Sequence, residues 1–207
     1  QRFLKADLNN DQRIDVLQVF RGWRSIPTCT AATNVNGDFS GWTCRNPAAD
    51  IYDSGSHEQQ FLAGDFNGDG KTDVVQTYRG WSSLPVCVQT GTTVNGTFEP
   101  SWSCANPAAL IRDSGSRQQR FVVADVDRDG RSDVVHLATT PMGTLGLVLG
   151  WNTSTGITPQ MVPGLATPVR RAHQVQVVDV DADGDLDLIR PEGTMPRWLA
   201  QVPSARR

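Results

Sequence analysis

The chain has 207 residues and a net charge of −3, long enough for one domain with a sizeable core. Its 19 glycines and 12 prolines suit many short strands joined by turns, and no apolar run approaches the roughly 18–20 residues that span a membrane. No signal-peptide pattern is visible, and a chain that starts at Gln1 is expected to be processed or to be a piece of something longer. The charge is unevenly shared: 15 of the 22 acidic residues lie in four short loops, so four divalent ions there would make the net charge positive.

The four loops come in order as Asp7–Asp15, Asp65–Asp73, Asp125–Asp133 and Asp179–Asp187, starting 58, 60 and 54 residues apart. Repeats with such a period imply stacked units of one kind. We expect a single repeat domain over 1–207, with units of about 1–58, 59–118, 119–172 and 173–207. An apolar run leads into each loop (Phe3-Leu4, Phe61 to Ala63, Phe121 to Val123, Val175 to Val178). A β-branched run leaves it (Asp15 to Val19, Asp73 to Thr77, Asp133 to Leu137, Asp187 to Ile189). These lengths and residues predict buried strands joined by a tight hairpin. Further strands are expected around Ser83–Thr90 and Asn95–Ser103, bounded by turns such as Asn36-Gly37 and Asn95-Gly96. No helix is expected, and about two strands fit after Asp187.

Units one and two match in detail. Arg21-Gly22-Trp23 returns as Arg79-Gly80-Trp81, and Asp53-Ser54-Gly55-Ser56 as Asp113-Ser114-Gly115-Ser116. Cys29 and Cys44 have counterparts in Cys87 and Cys104. Four cysteines allow three pairings; the repeat favours Cys29–Cys44 and Cys87–Cys104, one bridge in each unit. Zinc is the competing reading, but no CxxC pair occurs and no histidine is near in sequence. Disulfides imply an oxidising compartment, hence a secreted or surface protein.

Within each loop, oxygen-bearing side chains stand at positions one, three, five and nine: Asp7, Asn9, Asp11 and Asp15; Asp65, Asn67, Asp69 and Asp73; Asp125, Asp127, Asp129 and Asp133; Asp179, Asp181, Asp183 and Asp187. Position seven (Arg13, Lys71, Arg131, Asp185) is expected to offer its backbone carbonyl. A short curved loop of oxygens suits a hard cation, and Ca²⁺ fits an all-protein cage better than Mg²⁺. Up to four ions are expected, as stabilisers of the fold. The loops are not EF-hands, since no amphipathic helix flanks them and position twelve lacks a bidentate Glu. Position six calls for a left-handed backbone, met by Gly70, Gly130 and Gly184 but by Gln12 in loop one. The first site is therefore expected to be the weakest.

Phe-x-x-x-Asp-x-Asn/Asp-x-Asp-Gly-x-x-Asp followed by an apolar residue resembles the FG-GAP/VCBS repeat. That family includes the calcium-binding blades of integrin α-subunit propellers, bacterial surface proteins and lectins. The resemblance covers essentially the whole chain as four units. It implies an all-β, β-propeller-like fold, complete or partial, with calcium loops in β-hairpins; a linear stack is the alternative. Similar repeats in toxin-complex and Rhs-type shell proteins imply a second role, as a scaffold segment of a larger secreted assembly. An accessory domain of a secreted enzyme is a third.

Arg21, Trp23, Arg79 and Trp81 are the candidate ligand residues, because Trp faces stack on sugars or cations and Arg engages carboxylates. The alternative is that both Trp pack between blades. Trp42 and Trp102 are expected to cover the disulfides, and His136 to be a satisfied core residue. No catalytic constellation is apparent, no phosphate-binding glycine loop occurs, and no aromatic–basic stripe points to specific nucleic-acid binding. The expected function is non-catalytic recognition of a glycan or a cell-surface protein.

Overall fold

The computed structural model describes residues 2–51, 59–78, 80–107, 119–139, 145–153, 156–162, 175–182, 186–192 and 195–201. Among them the chain is all β, with no helix. Unit one contributes β1 (Arg2–Ala6), β2 (Asp15–Val19), β3 (Thr28–Thr33) and β4 (Phe39–Arg45), antiparallel in that order. Unit two contributes β5 (Gln59–Gly64), β6 (Asp73–Tyr78), β7 (Val86–Gln89), β8 (Thr92–Val94), β9 (Thr97–Glu99) and β10 (Trp102–Ala105). Its main sheet runs β5-β6-β7-β10, while β8 and β9 form a hairpin of their own. Unit three contributes β11 (Gln119–Ala124), β12 (Asp133–Thr139), β13 (Leu145–Thr153) and β14 (Gly156–Val162), again antiparallel in order. Unit four contributes β15 (Gln176–Val178), β16 (Asp187–Glu192) and β17 (Met195–Gln201).

The predicted runs before and after each loop are the first two strands of each sheet, paired as hairpins from Ala6 opposite Asp15 to Val178 opposite Asp187. β2 alternates buried and half-buried residues, whereas the first five residues of β6 are all buried. Neighbouring units pack on β6 from either side, Val74 in a cluster with unit one and Val75 in a cluster with unit three, so its polar Asp73, Gln76 and Thr77 are buried as well.

The core lies between units. Leu8, Leu17, Ile26 and Ile51 of unit one pack with Phe61, Val74 and Phe98 of unit two. Phe66, Val75 and Leu84 pack with Phe121 and Val134 of unit three. Val126, Val135 and Leu137 pack with Val175 and Leu188 of unit four. The leading strands β1, β5 and β11 stand side by side, as the inner strands of propeller blades do. Among the described residues the ring is not closed.

Cys29–Cys44 joins β3 to β4, and Cys87–Cys104 joins β7 to β10, each at a directly opposed pair. Closing a loop of about 15 residues contributes roughly 3 kcal/mol in the chain-entropy treatment. Trp102 and Cys104 both pack against the core cluster that contains Cys87. Trp42 is 49% exposed and meets Phe39 edge-on. His136 is buried, stacked on Phe121 and hydrogen-bonded to Gln119, as a satisfied core histidine should be. In the β8–β9 hairpin, Asn95 and Gly96 both take positive φ, the turn that this pair favours. Its Phe98 is buried against unit one, and its Glu99 accepts two hydrogen bonds from Arg45.

Candidate metal and ligand sites

The loops are built around the carboxylate at position nine. Asp15, Asp73, Asp133 and Asp187 are all buried. One oxygen of each accepts the backbone N–H of position two: Leu8 at 2.9 Å, Phe66 at 2.9 Å, Val126 at 2.9 Å and Val180 at 3.1 Å. In the first two units the other oxygen accepts an N–H from the third strand, Ala31 or Gln89, both at 2.8 Å. This residue thus ties hairpin, loop and third strand together. Burial pushes the Asp73 carboxyl up to about 7, with Asp69 and Asp65 adding to the rise and the two backbone bonds opposing it. Burial raises Asp15 as well.

Position one caps the turn: Asp7, Asp65 and Asp125 each accept backbone N–H groups from positions five and six. Position five accepts the N–H of position seven in loops one to three, each at 2.9 Å. The turn needs two left-handed residues. Position six is one of them (Gln12 at φ 64, Gly70 at 81, Gly130 at 85). Position four is the other, held by Asn10, Gly68, Arg128 and Ala182. Loop two meets both with glycine; loop one meets neither with glycine. A non-glycine residue there costs on the order of 1 kcal/mol, less for Asn.

The side chains at position seven also act. Arg13, Lys71 and Arg131 pair with the position-five carboxylates of Asp11, Asp69 and Asp129. Asp183 and Asp185 lie outside the described residues. Adjacent loops are stitched together. The Asp7 carbonyl accepts Thr72 N–H at 2.7 Å, and the Asp65 carbonyl accepts Ser132 N–H at 2.6 Å. Gly70 lies against Asn10, where a Cβ would come within 2.5 Å of the amide.

The residues present fit a cation. Asp125, Asp127 and Asp133 each place a carboxylate oxygen within 4.8 Å of the others, and so do Asp179, Asp181 and Asp187. In loop one, Oδ1 of Asn9 is buried without a hydrogen-bond partner, an acceptor that a bound ion would satisfy. When bound, the ion would offset the mutual repulsion of these acids; the loops themselves supply the curvature and the oxygens.

At the opposite end of β2 and β6 stand the Arg-Gly-Trp turns. Gly22 (φ 79) and Gly80 (φ 83) let each turn close, with Trp23 N–H on the Phe20 carbonyl at 3.1 Å and Trp81 N–H on the Tyr78 carbonyl at 3.0 Å. The indoles do not pack between blades: Trp23 is 44% and Trp81 37% exposed. Each rests on an aromatic ring, Phe20 just after β2 at 5.0 Å and Tyr78 at the end of β6 at 5.4 Å. Arg21 is exposed; Arg79 lies outside the described residues, as do both Asp-Ser-Gly-Ser stretches, His57 and His173. Next to Arg24, a shallow cleft of about 350 Å³ is lined by Ala48, Ala49, Asp50, Trp102 and Cys104. Sequence reasoning missed this cleft because its walls come from two units.

The fold and the loops define an all-β repeat protein with acidic hairpin loops. The family model described as FG-GAP-like repeat matches residues 65–136, so this stretch, from the second loop through most of β12, carries the repeat that the motif resembles. Among solved structures, the chain is similar to an Agrocybe aegerita lectin studied for specific recognition of non-reducing terminal N-acetylglucosamine. The TM-score is 0.60 at 18% identity, over 91% of this chain and 46% of the lectin chain. This likeness concerns the fold, and the chain spans about half the length of that lectin. No curated protein matches.

Proposed function

We propose that this chain is an extracellular, calcium-stabilised, non-catalytic recognition module that binds glycans through its Arg-Gly-Trp turns. The observation that carries the reading is the pair of exposed indoles, Trp23 and Trp81, presented by equivalent glycine turns and each backed by an aromatic ring. A fixed indole face loses little entropy when a sugar ring stacks on it, and Arg21 beside Trp23 supplies donors for hydroxyl or carboxylate groups. The fold likeness to an N-acetylglucosamine-recognising lectin supports a glycan as the ligand class. Two disulfides support an oxidising, extracellular setting. The acidic loops hold the ions and position the strands on which the turns sit.

The test is a glycan array probed with the calcium-loaded chain. Specific binding that disappears in Trp23→Ala/Trp81→Ala, with the unfolding temperature unchanged, is the expected result. Full binding by the double variant would refute the assignment of the turns. Hydrolysis of an arrayed glycan would refute the non-catalytic role.

A further inference from the structure

The three junctions between units repeat one arrangement. The aromatic or β-branched residue that leads each later unit is buried: Phe61 is 6%, Phe121 4% and Val175 0% exposed. It packs in a cluster with loop position two of the unit before, respectively Leu8, Phe66 and Val126. Position eight of the later loop contacts the earlier unit too, through Thr72 on Asp7 and Ser132 on Asp65. Leu186 does so by packing in the apolar cluster shared by units three and four.

Both ends of the row expose the halves of this arrangement. In unit one, Phe3 stands where Phe61, Phe121 and Val175 stand, yet it is 61% exposed, and Ile14 at position eight is 62% exposed. In unit four, Val180 at position two is 57% exposed and Val178 40% exposed. Gly64 and Ser132 show the meeting at one junction: a Cβ on Gly64 would come within 2.6 Å of the Ser132 hydroxyl. By the repeat, Val178 and Ile14 occupy those two places on the open faces, so both positions are apolar together. Lys5, which is exposed, stands where Ala63, Val123 and Val177 stand, and Asp179 and Asp181 flank Val180 in the loop of unit four. The two faces are apolar at their matching positions and carry charges of opposite sign.

We propose that a second copy of this chain covers these faces, the Phe3 face of each docking on the Val178–Val180 face of the other, so that two chains close one ring. Among the described residues, these positions stay exposed with all four units in place. Four units align with 46% of the lectin chain, which leaves about as much again for a partner of equal size. A head-to-tail interface that closes after two copies gives a finite dimer and leaves no free face.

Light scattering on the calcium-loaded chain at about 50 μM tests this. The expected mass is twice 22.6 kDa. Phe3→Asp and Val180→Asp change exposed residues, so each should keep the wild-type circular dichroism spectrum while raising the dimer dissociation constant at least about 100-fold. The two variants mixed should recover a heterodimer, held by the one junction in which both native faces meet. A monomeric wild-type chain at this concentration would overturn the proposal. So would a dimer that survives Phe3→Asp, or variants that fail to associate on mixing, since either would place the contact elsewhere or make it face-to-face.

Discussion

The two ends of strand β6 make opposite use of the same kinds of residue. At its start, Asp73 is buried and gives both oxygens to backbone N–H groups, and Gly70 turns the chain hard against Asn10. At its end, Gly80 turns the chain with nothing within 4 Å of where a Cβ would be, and Trp81 faces solvent. The loop end is committed to its own chain, and the turn end is free to meet something else. Under the proposed function, recognition belongs to the exposed indoles, and the acidic loops hold the strands that carry them.

The comparison breaks most sharply at Asp73. Asp73→Ala strands the N–H groups of Phe66 and Gln89, each costing about 1–3 kcal/mol when buried without an acceptor. With calcium present, denaturant unfolding should show a loss of about 2–6 kcal/mol. Trp81→Ala should lose under about 1 kcal/mol. Equal losses would erase the distinction between the two ends.

Glycine offers a finer contrast. Gly70→Ala meets both a left-handed backbone and the Asn10 side chain, whereas Gly80→Ala meets only the backbone. We expect about 2 kcal/mol and about 1 kcal/mol of destabilisation respectively, read by thermal unfolding. In loop one, Gln12→Gly relieves a φ of 64, should stabilise by up to about 1 kcal/mol, and should tighten that loop's calcium affinity. Calorimetry that finds loop one already the tightest site would contradict its ranking.

The smallest readout is a proton. The folded Asp73 carboxyl, raised to about 7, binds a proton more tightly than in the unfolded chain. Without metal its contribution to stability is therefore greatest at low pH and declines as pH rises from about 4 to about 7. Calcium needs the charged form, so affinity at loop two should climb over the same window, with proton release on binding. Titrations in buffers of different ionisation enthalpy should show that release, and Asp73→Asn should abolish its part.

The hairpins were legible because an apolar run, an acidic loop and a β-branched run repeat four times, and the disulfide pairing because units one and two match. Other features had no shared side-chain signal. Position four of the loop is left-handed throughout, yet Asn10, Gly68, Arg128 and Ala182 have nothing in common chemically. The N–H groups of Ala31 and Gln89 that complete Asp15 and Asp73 belong to the backbone 16 residues away, invisible to any residue pattern. The residue type at position seven varies, which points only to its carbonyl, while the side chains of Arg13, Lys71 and Arg131 also engage position five. Burial of Phe98 depends on which unit its hairpin leans against, a tertiary fact.

Thermal unfolding with and without a calcium chelator, on the wild-type chain and on Trp23→Ala/Trp81→Ala, tests the central claim most directly. An ion at a hundredfold excess over its Kd contributes about 2.7 kcal/mol per loop, so chelation should lower the midpoint by at least about 5 °C. The account predicts the same drop in both proteins, since the loops hold the fold and the turns do not. An unchanged midpoint in the wild-type chain, or a drop that vanishes in the double variant, would contradict it.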